Sequence, residues 1–150
     1  MIDRQYIGHA MPSFEVLVEK GRLHFFAKAT GQTDPVYWDE VAARAAGHPA
    51  LPVPPTFLFC LEMASPDPAA IRHLLGMDYR RLLHGEQGFT YHSLAYAGDV
   101  LRFEQRIADI YDKKGGALEF VLRQTRVSNQ RGEHVADLRA VTVLRHGVSA

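Results

Sequence analysis

The stretch LPVPPTFLFCLEMA, residues 51–64, is the most apolar segment of the chain and decides how the rest must fold. Pro54 and Pro55 restrict the backbone ahead of it, so we expect a helix from about Thr56 to Ala64. The predicted helix carries apolar side chains on nearly every side and must therefore be enclosed by other elements. It cannot span a bilayer, because the stretch has fourteen residues and a span needs about twenty.

The second half of the chain supplies the enclosing sheet. From Phe89 onward apolar and polar residues alternate, which predicts strands in FTYHSLAYAGD (89–99), VLRFEQRIADIY (100–111), ALEFVLRQTRVSN (117–129) and EHVADLRAVTVLR (133–145). Turn signals at Gly98-Asp99, DKKGG and NQRG are short enough for antiparallel hairpins. The apolar face is expected to contain Leu101, Phe103 and Ile107, and on the next strand Leu118, Phe120 and Leu122. The predicted fold is α+β: a hot-dog fold, with a curved antiparallel sheet wrapped around one long apolar helix.

Two shorter helices are expected before that central helix. The segments VEKGRLHFFAKATG (18–31) and DEVAARAAG (39–47) each end at a glycine suited to a helix C-terminus, and Asp39 can cap the second. The segment ASPDPAAIRHLLGMD (64–78) contains two prolines after the apolar helix and predicts a mobile loop. With 150 residues, 47% of them apolar, the chain is expected to form one domain, residues 1–150.

Charge and cysteine content narrow the function classes. Seventeen basic and seventeen acidic residues cancel, so no basic stripe would attract nucleic acid or anionic lipid. The one cysteine, Cys60, cannot form an internal disulfide and is interpreted as a small buried apolar residue. The N-terminal segment lacks the pattern of a signal peptide. We therefore expect a cytoplasmic protein that binds neither nucleic acid nor membrane.

Three segments together resemble a known family. FFAKATGQTDPVYWDEVAARAAG (25–47), VPPTFLF (53–59) and LLHGEQGFTYHSLAYAGDVLRFEQRIADIYDKKGGALEFVL (82–122) resemble the N-terminal-type MaoC dehydratase domain. This domain occurs in subunits of (R)-specific hydroxyacyl dehydratases and enoyl-CoA hydratases. The resemblance extends from about Tyr6 to Arg145 and implies the same hot-dog fold.

The resemblance also implies where a catalytic site would lie. Catalytic members carry Gly-Asp-x-Asn-Pro-x-His, whose Asp and His add water to an acyl thioester or remove it. Here Gly31 and Pro35 match, but Gln32 stands at the Asp position, Asp34 at the Asn position and Tyr37 at the His position. A glutamine amide does not take up a proton at neutral pH, and a tyrosine, with an ordinary pKa of about 10, is a poor base. Because both proton-transfer groups are replaced, the chain alone is not expected to hydrate an enoyl thioester.

The leading hypothesis is a non-catalytic, acyl-chain-binding subunit of a heteromeric (R)-3-hydroxyacyl-thioester dehydratase or enoyl-CoA hydratase. A second hot-dog subunit would supply the catalytic Asp and His, and paired sheet edges would join the two. The ligand would be an acyl-CoA or acyl-carrier-protein thioester of fatty acid metabolism. The residues predicted to line the acyl groove are Gln32, Tyr37, Trp38, Thr56, Phe57 and Phe59. Thr56 is also expected to offer its hydroxyl or backbone N–H to the thioester oxygen.

Two alternatives remain open at the level of the sequence. One is a stand-alone homodimer that binds acyl-CoA without turning it over. The other is an active hydratase with a rearranged site, in which Asp34, or His84 with Glu86, serves as acid and base, although Asp34 before Pro35 is better explained as a turn residue. The histidines lack ligand-like spacing, so no metal site and no cofactor are predicted.

Overall fold

The computed structural model describes residues 1–146. Its five strands form one antiparallel sheet in the order β1-β3-β4-β5-β2. The strands are β1 (Phe14–Leu17), β2 (Leu82–Tyr91), β3 (Val100–Lys113), β4 (Leu118–Ser128) and β5 (His134–Arg145). The α-helices are α1 (Lys20–Ala29), α2 (Glu40–Ala45), α3 (Phe57–Glu62) and α4 (Ala70–Leu74). Single 3-10 turns occur at Arg4–Tyr6, Pro35–Tyr37 and Tyr79–Arg81.

The hairpins β3–β4 and β4–β5 confirm the two turn predictions at DKKGG and NQRG. The turn at Gly98-Asp99 does not form a hairpin, because β2 pairs with β5 and residues 92–99 cross to the far side of the sheet. The strand β2 also begins at Leu82, seven residues before the predicted start at Phe89. Its first half contains Gly85 and a bulge between His84 and Glu86, which interrupt the alternation that predicts a strand.

The helix α3 lies in the apolar core, as predicted. Leu58 and Leu61 are at most 1% exposed and belong to one cluster with Leu101, Phe103 and Leu138 of the sheet. The helix is shorter than predicted, with six residues. It also carries a buried carboxylate, Glu62, that the apolar pattern conceals.

The carboxylate of Glu62 connects the end of α3 to two strands. Gln105 of β3 donates to one of its oxygens at 2.9 Å, and the Thr125 hydroxyl donates to the same oxygen at 2.5 Å. Arg123 of β4 forms an ion pair with the other oxygen at 2.6 Å. These contacts fix the position of α3 along the sheet.

The predicted core face of β3 is confirmed, but that of β4 is wrong. Val121 and Val127 point into the core, whereas Leu118, Phe120 and Leu122 lie on the opposite face and are half-buried. The inner face of β4 also carries Glu119, which accepts a hydrogen bond from the backbone N–H of Ile2 at 2.8 Å. The inner face of β4 thus carries polar residues as well as valines, and buried polar groups such as Glu119 are tolerated because they have hydrogen-bond partners elsewhere in the chain. The apolar pattern alone therefore predicts the wrong face as the buried one.

Two further segments differ from the sequence expectations. Residues 64–78, predicted as a loop, contain the short helix α4. The strand β1, in a region where no strand is predicted, pairs with the start of β3 and forms the second edge of the sheet. In residues 1–146, no helix has the length and apolar character needed to cross a membrane.

Candidate functional site

The turn that carries the motif positions begins at the C-terminus of α1. Gly31 adopts φ +67°, and the backbone N–H of Gln32 donates to the carbonyl of Ala27 at 2.8 Å. The N–H of Gly31 donates to the carbonyl of Lys28 at 3.2 Å, which completes a helix-ending motif that favours glycine at this position. The chain thereby leaves the helix in a fixed direction.

Side chains at the next two motif positions bind the backbone of the same turn. The amide oxygen of Gln32 accepts from the N–H of Asp34 at 3.0 Å, and a carboxylate oxygen of Asp34 accepts from the N–H of Val36 at 3.1 Å. Asp39 then caps α2 through the N–H of Val41 at 2.8 Å, as predicted. The interpretation of Asp34 as a turn residue is confirmed, because its carboxylate caps the 3-10 turn that presents Tyr37.

Tyr37 lines a cavity of about 300 Å³ beside the start of α3. The other lining residues come from the loop before α3, from α3 itself, from residues 91–95 and from β5. Most of them are apolar: Pro52, Val53, Pro55, Leu58, Leu94, Ala95 and Val135. The remaining three, His48, Tyr91 and Ser93, are polar, and among residues 1–146 no carboxylate belongs to the lining.

Apart from Tyr37, none of the lining residues was predicted to face the groove, and His48 is the one among them that carries an imidazole. It follows Gly47, the glycine that ends α2 with φ +90°, and its Nδ1 lies 3.4 Å from the hydroxyl of Tyr96. The hydroxyl of Ser93 is already committed, since it donates to the carbonyl of His134 at 2.9 Å. The only usable signal in the sequence was the position of His48 directly after a helix stop.

Thr56 stands next to this cavity in an unusual conformation. Its φ of +74° is rare for a β-branched residue. Its backbone N–H donates to the hydroxyl of Tyr91 at 2.8 Å, so in this structure a side chain of β2 holds the group expected to meet the thioester oxygen. The next N–H, that of Phe57, donates to the carbonyl of Pro54 at 3.1 Å.

The other predicted lining residues lie outside the cavity. Trp38, 41% exposed, faces a separate depression beside α1 and α2. Phe57 is buried in the core with its ring centroid 4.8 Å from that of Phe26. Phe59 lines a groove of about 440 Å³ near the end of α3, where its ring meets that of His84 edge-on at 5.9 Å. Gln32 is half-buried and serves the turn described above.

The pair His84 and Glu86 does not form an acid–base arrangement. Glu86 forms an ion pair with Arg139 on the outer face of the sheet. His84 contacts Phe59 on the other side, in the groove near the end of α3. The β-bulge between them separates the two side chains.

One group of potential metal ligands occurs among residues 1–146, and it lies outside the cavity: His92, His134 and Asp137. Partial burial of Asp137, the largest influence, acts to raise its carboxyl pKa, but hydrogen bonds from the two histidines together outweigh it and lower that pKa below its ordinary value.

The cavity beside Tyr37 combines an apolar wall, one imidazole and two phenolic hydroxyls. Such a lining suits an uncharged chain, and it lacks the carboxylate that would orient or exchange a proton with a water molecule.

Comparison with known proteins places this geometry in a family. Residues 5–138 match the family model described as FAS1-like, dehydratase domain region. A UPF0336 protein of Saccharopolyspora erythraea is 34% identical over 147 residues, which cover 96% of this chain and 92% of that protein.

Solved structures share the fold at lower identity. The C-terminally truncated HadBC (3R-hydroxyacyl-ACP dehydratase) complex from Mycobacterium tuberculosis contains a chain with TM-score 0.76 and 24% identity, and the match covers 92% of this chain and 96% of that one. A MaoC-like dehydratase from Rhodospirillum rubrum gives TM-score 0.63 and 24% identity, with coverage of 95% and 94%. The resemblance to MaoC-like dehydratases and the hot-dog fold are thus confirmed. The chain belongs to the family described as the FAS1-like dehydratase domain region.

Proposed function

We propose that this chain is a non-catalytic, acyl-chain-binding subunit of a heteromeric (R)-3-hydroxyacyl-thioester dehydratase or enoyl-CoA hydratase. The observation that carries the proposal is the cavity beside Tyr37, which is apolar and has no carboxylate in its lining. Hydration of an enoyl thioester requires groups that exchange protons with water while the carbonyl is polarised. The cavity provides a place for the acyl chain and lacks that pair of groups.

The two motif positions support this assignment in different ways. At the position of the catalytic His, Tyr37 presents a phenol to the cavity. At the position of the catalytic Asp, the Gln32 amide oxygen accepts a backbone N–H of its own turn. One position is thus suited to contact with a ligand, and the other maintains the turn.

The edge strand β2 supports a partner. It contains ten residues, and within residues 1–146 no strand pairs with its outer side. Large side chains at or near this edge are about half exposed or more: Tyr79, Leu83, Tyr91 and Leu94. Unpaired backbone groups beside exposed apolar side chains favour association with a second sheet edge. The similar chain in the HadBC complex belongs to an assembly, which is consistent with a second hot-dog subunit here.

The proposed division of labour is tested by activity with and without a partner. The purified chain is expected to show no hydration of crotonyl-CoA or of a longer enoyl-CoA above background. Co-expression with a hot-dog chain that contains an intact Asp and His motif is expected to give a complex that hydrates these substrates. Turnover by the chain alone, lost in His48→Gln, would refute the non-catalytic role. Tight acyl-CoA binding by a homodimer that activates no such partner would favour the stand-alone alternative.

The acyl-binding role is tested by filling the cavity. Leu94 lines it and is 51% exposed, so Leu94→Trp can occupy its mouth with little disturbance of the core. Leu83 of β2 is 52% exposed, lies at the same edge of the sheet and is outside this cavity, which makes Leu83→Trp the matched control. In the complex, Leu94→Trp should raise KM for long enoyl-CoA at least about tenfold, while KM for crotonyl-CoA should change little. The factor follows from the contact that the acyl chain would lose, since one apolar contact in a pocket contributes about 1–3 kcal/mol. Equal effects of the two substitutions would contradict the role of the cavity.

A further inference from the structure

A compact group of three side chains lies where β2 ends and β5 begins. His92 directly follows β2, His134 is the first residue of β5, and Asp137 lies three residues further along the same strand. The two histidines are far apart in sequence, so no motif spacing reveals them. The pairing of β2 with β5 brings them together.

The geometry of the group is that of a convergent ligand set. Nε2 of His92 lies 2.7 Å from one carboxylate oxygen of Asp137, and Nε2 of His134 lies 3.0 Å from the other. The two imidazole rings stack with centroids 4.1 Å apart and an interplanar angle of 29°. One ligand atom from each residue can be chosen so that all lie within 4.8 Å of one another.

These separations are close to those around a tetrahedral metal ion. Zinc binds imidazole nitrogen and carboxylate oxygen at about 2.0–2.2 Å, which sets ligand atoms about 3.3 Å apart in a tetrahedron. The two N···O distances, 2.7 and 3.0 Å, are shorter than this value by about 0.6 and 0.3 Å, a difference that small side-chain rotations can supply. The same nitrogen of each ring, Nε2, faces the shared carboxylate, and a metal would use those two nitrogens.

The surroundings leave space for a further ligand. The side chains of His92, His134 and Asp137 are 40%, 28% and 49% exposed, so water has access to the group. Two imidazoles and one carboxylate are borderline ligands that favour zinc and neighbouring transition metals over magnesium, which prefers octahedral oxygen. We propose that His92, His134 and Asp137 bind one divalent transition-metal ion of the zinc class, with water completing its coordination.

The site would have a structural consequence for the edge of the sheet. It would join the end of β2 to β5, one residue after Tyr91, whose hydroxyl accepts the N–H of Thr56 at the start of α3. Bound metal would therefore hold the edge strand in place next to the cavity. An ion that binds the folded chain but not the unfolded chain stabilises the folded state by mass action. The midpoint of thermal unfolding should therefore rise with metal concentration.

The experiment uses the isolated chain after treatment with EDTA and its removal. Titration calorimetry with ZnCl₂ is expected to give one site per chain, and MgCl₂ is expected to give no heat of binding at the same concentrations. Co²⁺ should bind with the intense visible absorption of a tetrahedral site. His92→Gln retains an N–H donor for Asp137 but removes the ligand nitrogen, and it should weaken zinc binding at least about tenfold, by analogy with the 10–100-fold effects of outer-shell partners.

The matched control is His73→Gln. His73 also lies near a carboxylate, Asp67, at 3.9 Å, but it is not one of the three clustered ligands. Zinc affinity and the zinc-dependent rise in unfolding midpoint should be unchanged in this variant. Absence of zinc binding by the wild-type chain, or equal loss in both variants, would overturn the proposal. No thioester or partner subunit enters this test, so its outcome is independent of the proposed acyl-binding function.

Discussion

The buried ion pair between Glu62 and Arg123 provides a direct test of what holds α3 against the sheet. The Glu62 side chain is 1% exposed and that of Arg123 is 21% exposed, so their contact at 2.6 Å is largely shielded from water. In Arg123→Met the aliphatic stem is retained and the guanidinium is lost. The carboxylate then keeps its hydrogen bonds from Gln105 and Thr125 but has no opposite charge beside it.

The expected cost follows from that loss. Removal of one partner from a buried pair destabilises proteins by about 3–5 kcal/mol, because the remaining charge is buried without compensation. For a chain of this size, each kcal/mol lowers the unfolding midpoint by about 2–4 °C, so a decrease of about 6–20 °C is expected. The double variant Glu62→Gln with Arg123→Met should be more stable than Arg123→Met alone by about 1.5–3 kcal/mol, because the buried charge is then gone while the amide oxygen still accepts.

The measurements are urea unfolding for the free energy and thermal unfolding for the midpoint, both followed by circular dichroism, with Arg102→Met as matched control. Arg102 pairs with Glu104 at 3.6 Å, and both side chains are nearly half exposed, so this surface pair contributes at most about 1 kcal/mol. If Arg123→Met costs no more than Arg102→Met, the network around Glu62 does not anchor α3. If the double variant is no more stable than the single one, the uncompensated charge is not the cause.

Three further predictions concern the turn, the edge strand and the start of α3. The double variant Gln32→Asp with Tyr37→His should hydrate enoyl-CoA at a detectable rate that neither single variant shows. The gain in rate should be far below the rate enhancement of about 10²–10⁴-fold that a well-placed acid–base group contributes. A double variant that binds acyl-CoA but is as inactive as the single variants would contradict the alignment of the motif. Gly85→Ala should destabilise by about 1–3 kcal/mol in urea unfolding, since its Cβ would meet a β5 side chain at 2.9 Å, whereas Gly88→Ala, with its nearest contact at 3.7 Å, should cost less than 1. Thr56→Gly should raise the free energy of unfolding by about 1 kcal/mol by relieving φ +74°, and a loss of stability would show that the side chain contributes more than the strain.

The main elements of the fold could be predicted from local patterns, but the pairing of strands could not. Alternation located β3, β4 and β5 because their core residues recur every second position. It missed the first half of β2, where Gly85 and neighbouring polar residues line an edge strand with little burial. The partner of β2 depends on the crossing of residues 92–99, which no local pattern encodes.

The site was predictable only in part for a similar reason. The resemblance located the turn and Tyr37, because the motif positions are contiguous in sequence. His48 and the pair Tyr91 and Leu94 complete the cavity from two segments more than 40 residues apart in the sequence, and no motif joins those segments. Phe57 and Phe59 were predicted to share a groove, but adjacent helical faces send one into the core and the other toward His84.

The bonds that shape the turn from Ala27 to Asp39 all join residues within five positions of one another. Because these contacts are local in sequence, the turn can form with few contacts to the rest of the chain. The proton-transfer positions can then change over evolutionary time with little penalty to folding, provided that the side chain at position 32 still offers an oxygen that accepts the N–H of residue 34. A lineage can in this way lose its chemistry and keep its architecture, and a duplicated gene for a catalytic chain has a short mutational path to a partner subunit.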